Sequence, residues 1–180
     1  MSVINSQESL QNHQPSLVKG LAAGAIGGLV ASWVMERFQY AWMAVASNKD
    51  QTREPAETSN EEPATVKAAE MVSRKFFRHE LAKSEKKIAG DAVHYATGGT
   101  SAAAYGVAAE FVPEVTAGAG IPFGTAVWLV IDEGAVPLMH LSKGPAEYPL
   151  STHLYALASH FVYGVTTEVV RRSLRRSVLS

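Results

Sequence analysis

Five ionisable residues lie within stretches of this sequence that are otherwise apolar enough for a membrane interior. Titratable side chains are costly in hydrocarbon, so they normally face the interior of a helical bundle and often mark a functional site. The residues form a set of histidines and carboxylates, which is the chemistry of proton transfer and of metal binding. They are His94 in Ile88–Phe111, Asp132 and Glu133 in Gly118–Leu141, and His153 and His160 in Leu150–Val170.

Helix geometry predicts that these residues share one layer. Each residue of a helix adds about 1.5 Å, so, counted from the side of the 47–87 loop, His94 lies about 9 Å deep, Glu133 about 12 Å and His160 about 15 Å. His153 lies two turns from His160 on nearly the same helix face, because positions i and i+7 align. Antiparallel helices would therefore bring these side chains together as a buried polar layer.

The layer has three interpretations that the sequence leaves open. The side chains could satisfy one another and fix helix packing, since buried polar groups need partners. They could handle protons or ions, since carboxylate and histidine chains in membranes form proton relays. They could also hold a metal or haem through His94 and His160, with Glu133 as a third ligand. No local metal-binding motif accompanies them, so the metal remains unknown and we predict no bound cofactor.

Composition excludes several other classes of function. The chain has 180 residues, a net charge of -1 and no cysteine. A neutral chain gives no electrostatic basis for nucleic-acid binding. The missing cysteines rule out disulfides, thiolate metal sites and cysteine nucleophiles.

The hydropathy pattern predicts an all-α integral membrane bundle of about four transmembrane helices with one amphipathic connecting helix. We expect a disordered segment at 1–16, a first transmembrane helix at 17–46, a charged loop with the amphipathic helix at 47–87, and a three-helix membrane core at 88–176. A soluble helical bundle is the alternative, but a chain of this length would have difficulty burying so many apolar faces.

Small residues recur at four-residue spacing in two of the apolar segments. Such rows let another helix approach closely. The two rows are Gly20, Gly24 and Gly28 in the first segment, and Gly98, Ala102 and Gly106 in the second.

Other positions give expectations about helix ends. Pro137 is expected to kink or end the third segment near Gly134, because proline lacks the amide hydrogen of a helix interior. Asp91 and Glu110 lie near the two ends of the second segment, where we expect them to reach water.

Dispersed positions in the C-terminal half resemble a known family. They are His94, Tyr105-Gly106, Glu110, Pro113, Pro137, Ser159-His160 and the closing run from Glu168 to Arg175. Together they resemble the YagU-like family of bacterial inner-membrane proteins, a domain of unknown function whose best-known member is associated with survival in acid. The resemblance implies a multi-pass protein of the bacterial inner membrane, and it transfers no catalytic residue. Asp132-Glu133 departs from the family pattern, which has a histidine nearby.

These observations favour a non-enzymatic membrane protein that contributes to acid response or proton handling through its His/Glu layer. The alternative is a structural or accessory membrane subunit, one version of which holds haem or metal through His94 and His160, with the Gly20, Gly24 and Gly28 row as the exposed packing face. The expected partners are the lipid bilayer and a second copy or a larger membrane complex, and not nucleic acid.

Overall fold

The computed structural model describes residues 15–49 and 62–177, and every regular element within them is helical. The predicted all-α class is therefore confirmed for this part of the chain. Most of the segment predicted to be disordered at 1–16, and much of the loop that follows the first helix, lie outside the described residues. The helices are α1 (Leu17–Lys49), α2 (Ala64–Val72), α3 (Lys83–Phe111), α4 (Ile121–Leu138) and α5 (Leu150–Ser177).

Two helices are longer than the apolar pattern predicted. Helix α3 begins at Lys83 rather than Ile88, because the Glu85 carboxylate accepts a hydrogen bond of 2.7 Å from the Ala82 amide and so caps the first turn. Helix α5 continues past Val170 to Ser177. Arginine is a good helix former, so the basic end of the chain extends the helix.

The connecting helix occupies only a short part of the 47–87 loop. Helix α2 ends at Val72, followed by one π-helical turn at Ser73–Phe77. Arg78 then takes a left-handed conformation with φ of 52°, and the Ser73 hydroxyl donates a 2.8 Å hydrogen bond to the His79 carbonyl. The helix ends here because this turn reverses the chain toward α3.

Helix α4 changes its winding before Pro137. It is α-helical over Ile121–Val127, π-helical over Trp128–Ala135, and closes with the turn Val136–Leu138. Proline cannot donate the hydrogen bond that an α-helix requires. A π segment is one way to accommodate the missing hydrogen bond, and such segments often occur at functional sites. The expected distortion is therefore present, but the helix ends at Leu138 and not at Gly134.

Helices α1 and α3 pack antiparallel through the two rows of small residues. A methyl group added at Gly20 would lie 2.7 Å from the Gly106 carbonyl oxygen, and one added at Gly28 would lie 2.5 Å from that of Gly98. Between them, Gly24 faces the Ala102 carbonyl even more closely. Backbone approach at this distance is possible only for glycine.

Helices α4 and α5 form a second close pair that the sequence did not single out. Gly124 faces the His160 carbonyl, and Gly164 faces the Gly120 carbonyl, with no room for a side chain at either place. Gly120 also has φ of 88°, which favours glycine. This contact brings the polar residues of α4 beside those of α5.

The protein buries small and polar residues and exposes large apolar ones. Ala23, Ala31 and Ala102 are fully buried, whereas Leu129 and Leu138 of α4 are exposed. Helices α1 and α4 are each long and apolar enough to cross a membrane, and only 6% of the apolar window of α4 is buried. Helix α4 is therefore not the core helix of a water-soluble bundle, because such a helix would be mostly buried.

Helix α2 docks against the beginning of α3. Val66 packs on Gly90, and the Lys86 ammonium lies 2.6 Å from the Glu70 carboxylate and 2.7 Å from that of Glu62. The hydrogen bond from Lys86 holds the pKa of Glu70 below its ordinary value. The contact therefore stabilises docking above the pKa of unfolded Glu70, and this stabilisation is lost as the pH falls through the lowered pKa.

We expect α2 to loosen from α3 below about pH 4, near the ordinary titration range of glutamate. In the wild type, the amides of residues 64–72 should then lose more of their protection from hydrogen exchange than the amides of the other helices do. Lys86→Gln should remove this pH dependence by removing the charge that holds Glu70 ionised. Equal pH dependence of exchange in the variant and the wild type would contradict the expectation.

Candidate functional site

A cavity of about 700 Å³ lies between α1, α3, α4 and α5, with α2 at its rim. Its lining extends from Tyr163, near the middle of the bundle, to Ala64 and Lys143 in the connecting regions. Cavities of this size accommodate small molecules or clusters of water. Its lining includes the five residues from which the sequence predicted a polar layer: His94, Asp132, Glu133, His153 and His160.

Two histidine–carboxylate pairs connect α4 with α5 inside the cavity. His153 Nδ1 lies 2.7 Å from Glu133 Oε1, and its Nε2 lies 3.0 Å from the Pro145 carbonyl oxygen. His160 Nε2 lies 3.7 Å from Asp132 Oδ2. Its other ring nitrogen, Nδ1, lies 2.9 Å from the Ala156 carbonyl oxygen. Each ring is therefore oriented by a backbone oxygen on one side and faces a carboxylate on the other.

The π segment of α4 presents two neighbouring carboxylates to the same cavity. In an α-helix, adjacent residues point about 100° apart. Here Asp132 and Glu133 lie within the π segment and both line the cavity. The π segment thus carries the acidic partners of both histidines of α5.

His94 lines the cavity from α3 without forming a direct ion pair. Its Nε2 lies 3.5 Å from the Ser32 carbonyl oxygen on α1, and its ring meets that of Tyr95 edge-on. The structure pairs Glu133 with His153 rather than with His94 or His160. The five residues share one cavity, in which two pairs join α4 to α5 and the charge of Asp132 also interacts with His94.

Glu36 is a cavity residue that the sequence argument missed. Its carboxylate accepts a 2.8 Å hydrogen bond from the Tyr95 hydroxyl and also contacts Arg37. Glu36 directly follows the apolar run of α1. This position could have indicated a further carboxylate of the cavity.

No metal centre accompanies these residues. Across 15–49 and 62–177, no three histidine or acidic side chains converge as they would to hold a metal ion. The interpretation with metal or haem at His94 and His160 gains no support from this geometry.

A second polar cluster is buried near the opposite end of the bundle. Arg175 binds Glu110 through two hydrogen bonds, of 2.5 Å and 2.7 Å. Arg171 binds Glu168 in the same way, at 2.8 Å and 2.9 Å, and the Tyr105 hydroxyl donates to Glu168 at 2.9 Å. Glu168 is 1% exposed, so this is a desolvated ionic cluster. Arg171 and Arg175 each donate two hydrogen bonds to one carboxylate, and such bidentate pairs are among the strongest ionic hydrogen bonds in proteins.

The cluster corrects one expectation. Glu110 was expected to reach water at the end of its segment, but it is buried because α5 continues beside it and supplies Arg175. The spacing of Glu168, Arg171 and Arg175 places all three on one helix face, and this signal could have revealed the cluster.

The cluster also fixes the beginning of α1. The Ser16 amide donates a 3.1 Å hydrogen bond to Glu110. On α3, His94 and Glu110 are about 24 Å apart. The bundle thus has a histidine–carboxylate cavity at one end and an ionic cluster that joins α1, α3 and α5 at the other.

Residues 51–169 match a family described as a protein of unknown function, DUF1440. The match covers more than half of the chain. This protein belongs to the DUF1440 family. No match was found among curated proteins or among solved structures.

The DUF1440 region contains most of the cavity but not all of the ionic cluster. The four paired residues of α4 and α5 lie within it, as does Glu168. Helix α1, with Glu36, precedes the region, and Arg171 and Arg175 follow it. The cavity of this DUF1440 protein is therefore completed by a helix from outside the family region.

Proposed function

We propose that this DUF1440 protein is a multi-pass protein of the bacterial inner membrane that binds protons in its cavity as part of a response to acid. The observation that carries the proposal is the presence of two histidine–carboxylate pairs, His153–Glu133 and His160–Asp132, in one cavity. We propose a binding role and not catalysis of a covalent reaction.

Placement in a lipid bilayer is supported by the distribution of apolar side chains. Large apolar residues such as Leu129, Val130 and Val169 face outward, while carboxylates and arginines are buried. In a bilayer this arrangement satisfies both kinds of side chain. Helices α1, α3, α4 and α5 would form the four spans, packed through glycine contacts as membrane helices commonly are.

Proton binding is supported by the chemistry of the pairs. Histidine changes its charge near neutral pH, and a nearby carboxylate gives the protonated ring a partner of opposite charge. Because the cavity lining reaches Ala64 and Lys143, we propose that it opens to water on the side of α2. Acidification of that side would then change the charge of the cavity and the contacts between α4 and α5.

The accessory-subunit alternative is not favoured by any contact in the bundle. It required the row of Gly20, Gly24 and Gly28 to remain available for a partner helix. Helix α3 occupies this row through Gly98, Ala102 and Gly106.

A fluorescent reporter at the cavity mouth tests the proposal. Ser142 lines the cavity, and the chain has no cysteine, so Ser142→Cys permits labelling at one position. We expect the emission of an environment-sensitive label to change between about pH 8 and about pH 5, where histidines titrate. His153→Gln and His160→Gln should each reduce the change, and the double variant should abolish it.

The matched control is His140→Gln, because His140 is an exposed histidine near the same end of the bundle. This variant should retain the full pH response. The proposal fails if the wild-type label does not respond to pH, or if His140→Gln reduces the response as much as the two cavity variants do.

A further inference from the structure

The exposed turn after α2 combines aromatic and basic side chains. We call Arg74, Lys75, Phe76, Phe77 and Arg78 the basic–aromatic turn. Phe76 is 71% exposed and Phe77 is 75% exposed. Two adjacent phenylalanines at this exposure are unfavourable in water, so the turn requires an apolar environment outside the described chain.

The contacts of α2 locate the turn relative to the apolar part of the bundle. Val66 packs on Gly90, so α2 lies beside the first turns of α3. Ile88 of α3, 73% exposed, marks the beginning of the apolar segment. Glu70, near the end of α2, pairs with Lys86, so the basic–aromatic turn that follows lies at the end of the bundle where α3 begins, before its apolar segment.

The charge of this region is complementary to an anionic surface. Residues 64–87 contain seven Lys and Arg residues against three Glu residues, a net charge of +4. Two of the three acidic residues are engaged locally: Glu70 with Lys86, and Glu85 with His79 and the Ala82 amide. The basic residues of the turn are exposed, and Arg74 also lies 3.7 Å from the Glu70 carboxylate.

A shallow recess beside the turn provides a place for a headgroup. It has a volume of about 440 Å³ and is lined by Lys67, Glu70, Met71, Arg74 and Lys75. Three of these residues are cationic and one, Glu70, is anionic and paired with Lys86, so the lining keeps a net positive charge that suits a phosphate group.

We propose that the basic–aromatic turn inserts Phe76 and Phe77 into the bilayer interface and binds the headgroups of anionic phospholipids. The inference rests on the membrane placement proposed above, but it is independent of proton binding in the cavity. Amphipathic segments with basic and aromatic residues bind lipid surfaces by burying their rings while their cations face anionic headgroups.

Depth measurements at single labelled positions test the insertion. The full chain is reconstituted in nanodiscs of phosphatidylcholine with phosphatidylglycerol, and a fluorescent label is attached through Phe77→Cys. We expect strong quenching by lipids that carry a spin label near the headgroup. The same label should be quenched much less by lipids that carry the spin label deep in the acyl chain. Weak quenching from both depths would overturn the insertion.

Lipid retention tests the headgroup preference. Native mass spectrometry of protein released from the mixed nanodiscs should show phosphatidylglycerol bound in preference to phosphatidylcholine. The triple variant Arg74→Gln, Lys75→Gln and Arg78→Gln should lose most of this preference, while Arg176→Gln, at the opposite end, should retain it. Unchanged retention in the triple variant would overturn the proposal.

Two further labels separate this proposal from its alternatives. A label at Val130, exposed on α4, should be quenched by lipids with spin labels in their acyl chains. If it is not, membrane placement itself fails, and not only the role of the turn. If the Phe77→Cys label is instead shielded in detergent in a concentration-dependent way, a second copy covers the turn and the lipid proposal is wrong.

Discussion

Glu168→Gln is expected to destabilise the protein by about 3–5 kcal/mol, the usual cost of breaking a buried ion pair. The Glu168 carboxylate binds Arg171, Arg172 and the Tyr105 hydroxyl, and its side chain is inaccessible to water. The neutral amide would leave the buried Arg171 guanidinium without a compensating charge. Unfolding of the purified protein in detergent, followed by circular dichroism, measures the loss.

A double variant separates the destabilisation caused by an unpaired buried charge from the stabilisation that the ion pair itself contributes. Arg175→Leu alone leaves the Glu110 carboxylate buried without its main partner. Glu110→Leu combined with Arg175→Leu removes both charges, so the double variant should be more stable than Arg175→Leu alone. Arg176→Gln, an exposed neighbour, should change stability by less than about 0.5 kcal/mol. Additive losses in the double variant would contradict this account of the cluster.

Gly24→Ala is expected to separate α1 from α3 and to cost about 1–3 kcal/mol or more, as overpacking of a core does. The added methyl group would meet the Ala102 carbonyl oxygen and the Ala103 Cα, which are backbone atoms and cannot rotate away. Because the same interface holds Ser32 and Glu36 at the cavity, its separation should also alter the cavity wall. Thermal unfolding in detergent gives the size of the effect.

Gly99→Ala is the matched control for this change. The same methyl group at Gly99 would lie 3.3 Å from the Leu29 Cδ2 atom, at the end of a flexible side chain. We therefore expect a small change in stability, or a slight gain, since alanine favours the helix more than glycine does. Equal losses at Gly24 and Gly99 would mean that general helix effects, and not the close backbone contact, govern the result.

Helical periodicity predicted much of the architecture because long apolar segments leave few alternatives. The depth of a residue along a straight helix follows from residue number alone. For this reason His160 and Asp132 could be expected at one level, and the structure brings them to one cavity. The detailed pairing could not be predicted, because it depends on the π segment and on the rotation of α4 against α5 through Gly124.

The ionic cluster lay beyond the sequence argument for a different reason. Glu110 and Arg175 are far apart in sequence, and each occupies a position that would be solvated if its helix ended at the apolar boundary. The cluster exists because α5 continues past Val170. A helix end that depends on partners from another helix cannot be located from local pattern alone.

The most direct test of proton binding in the cavity is a titration of the histidine rings by nitrogen-15 nuclear magnetic resonance. The protein would be labelled at histidine and reconstituted in nanodiscs, with His153→Gln and His160→Gln used to assign the two signals. We predict that at least one of the two pairs changes protonation between about pH 8 and about pH 5, the range in which histidines usually titrate. If both rings keep a single protonation state throughout this range, the pairs are structural contacts only and the proposed function is wrong.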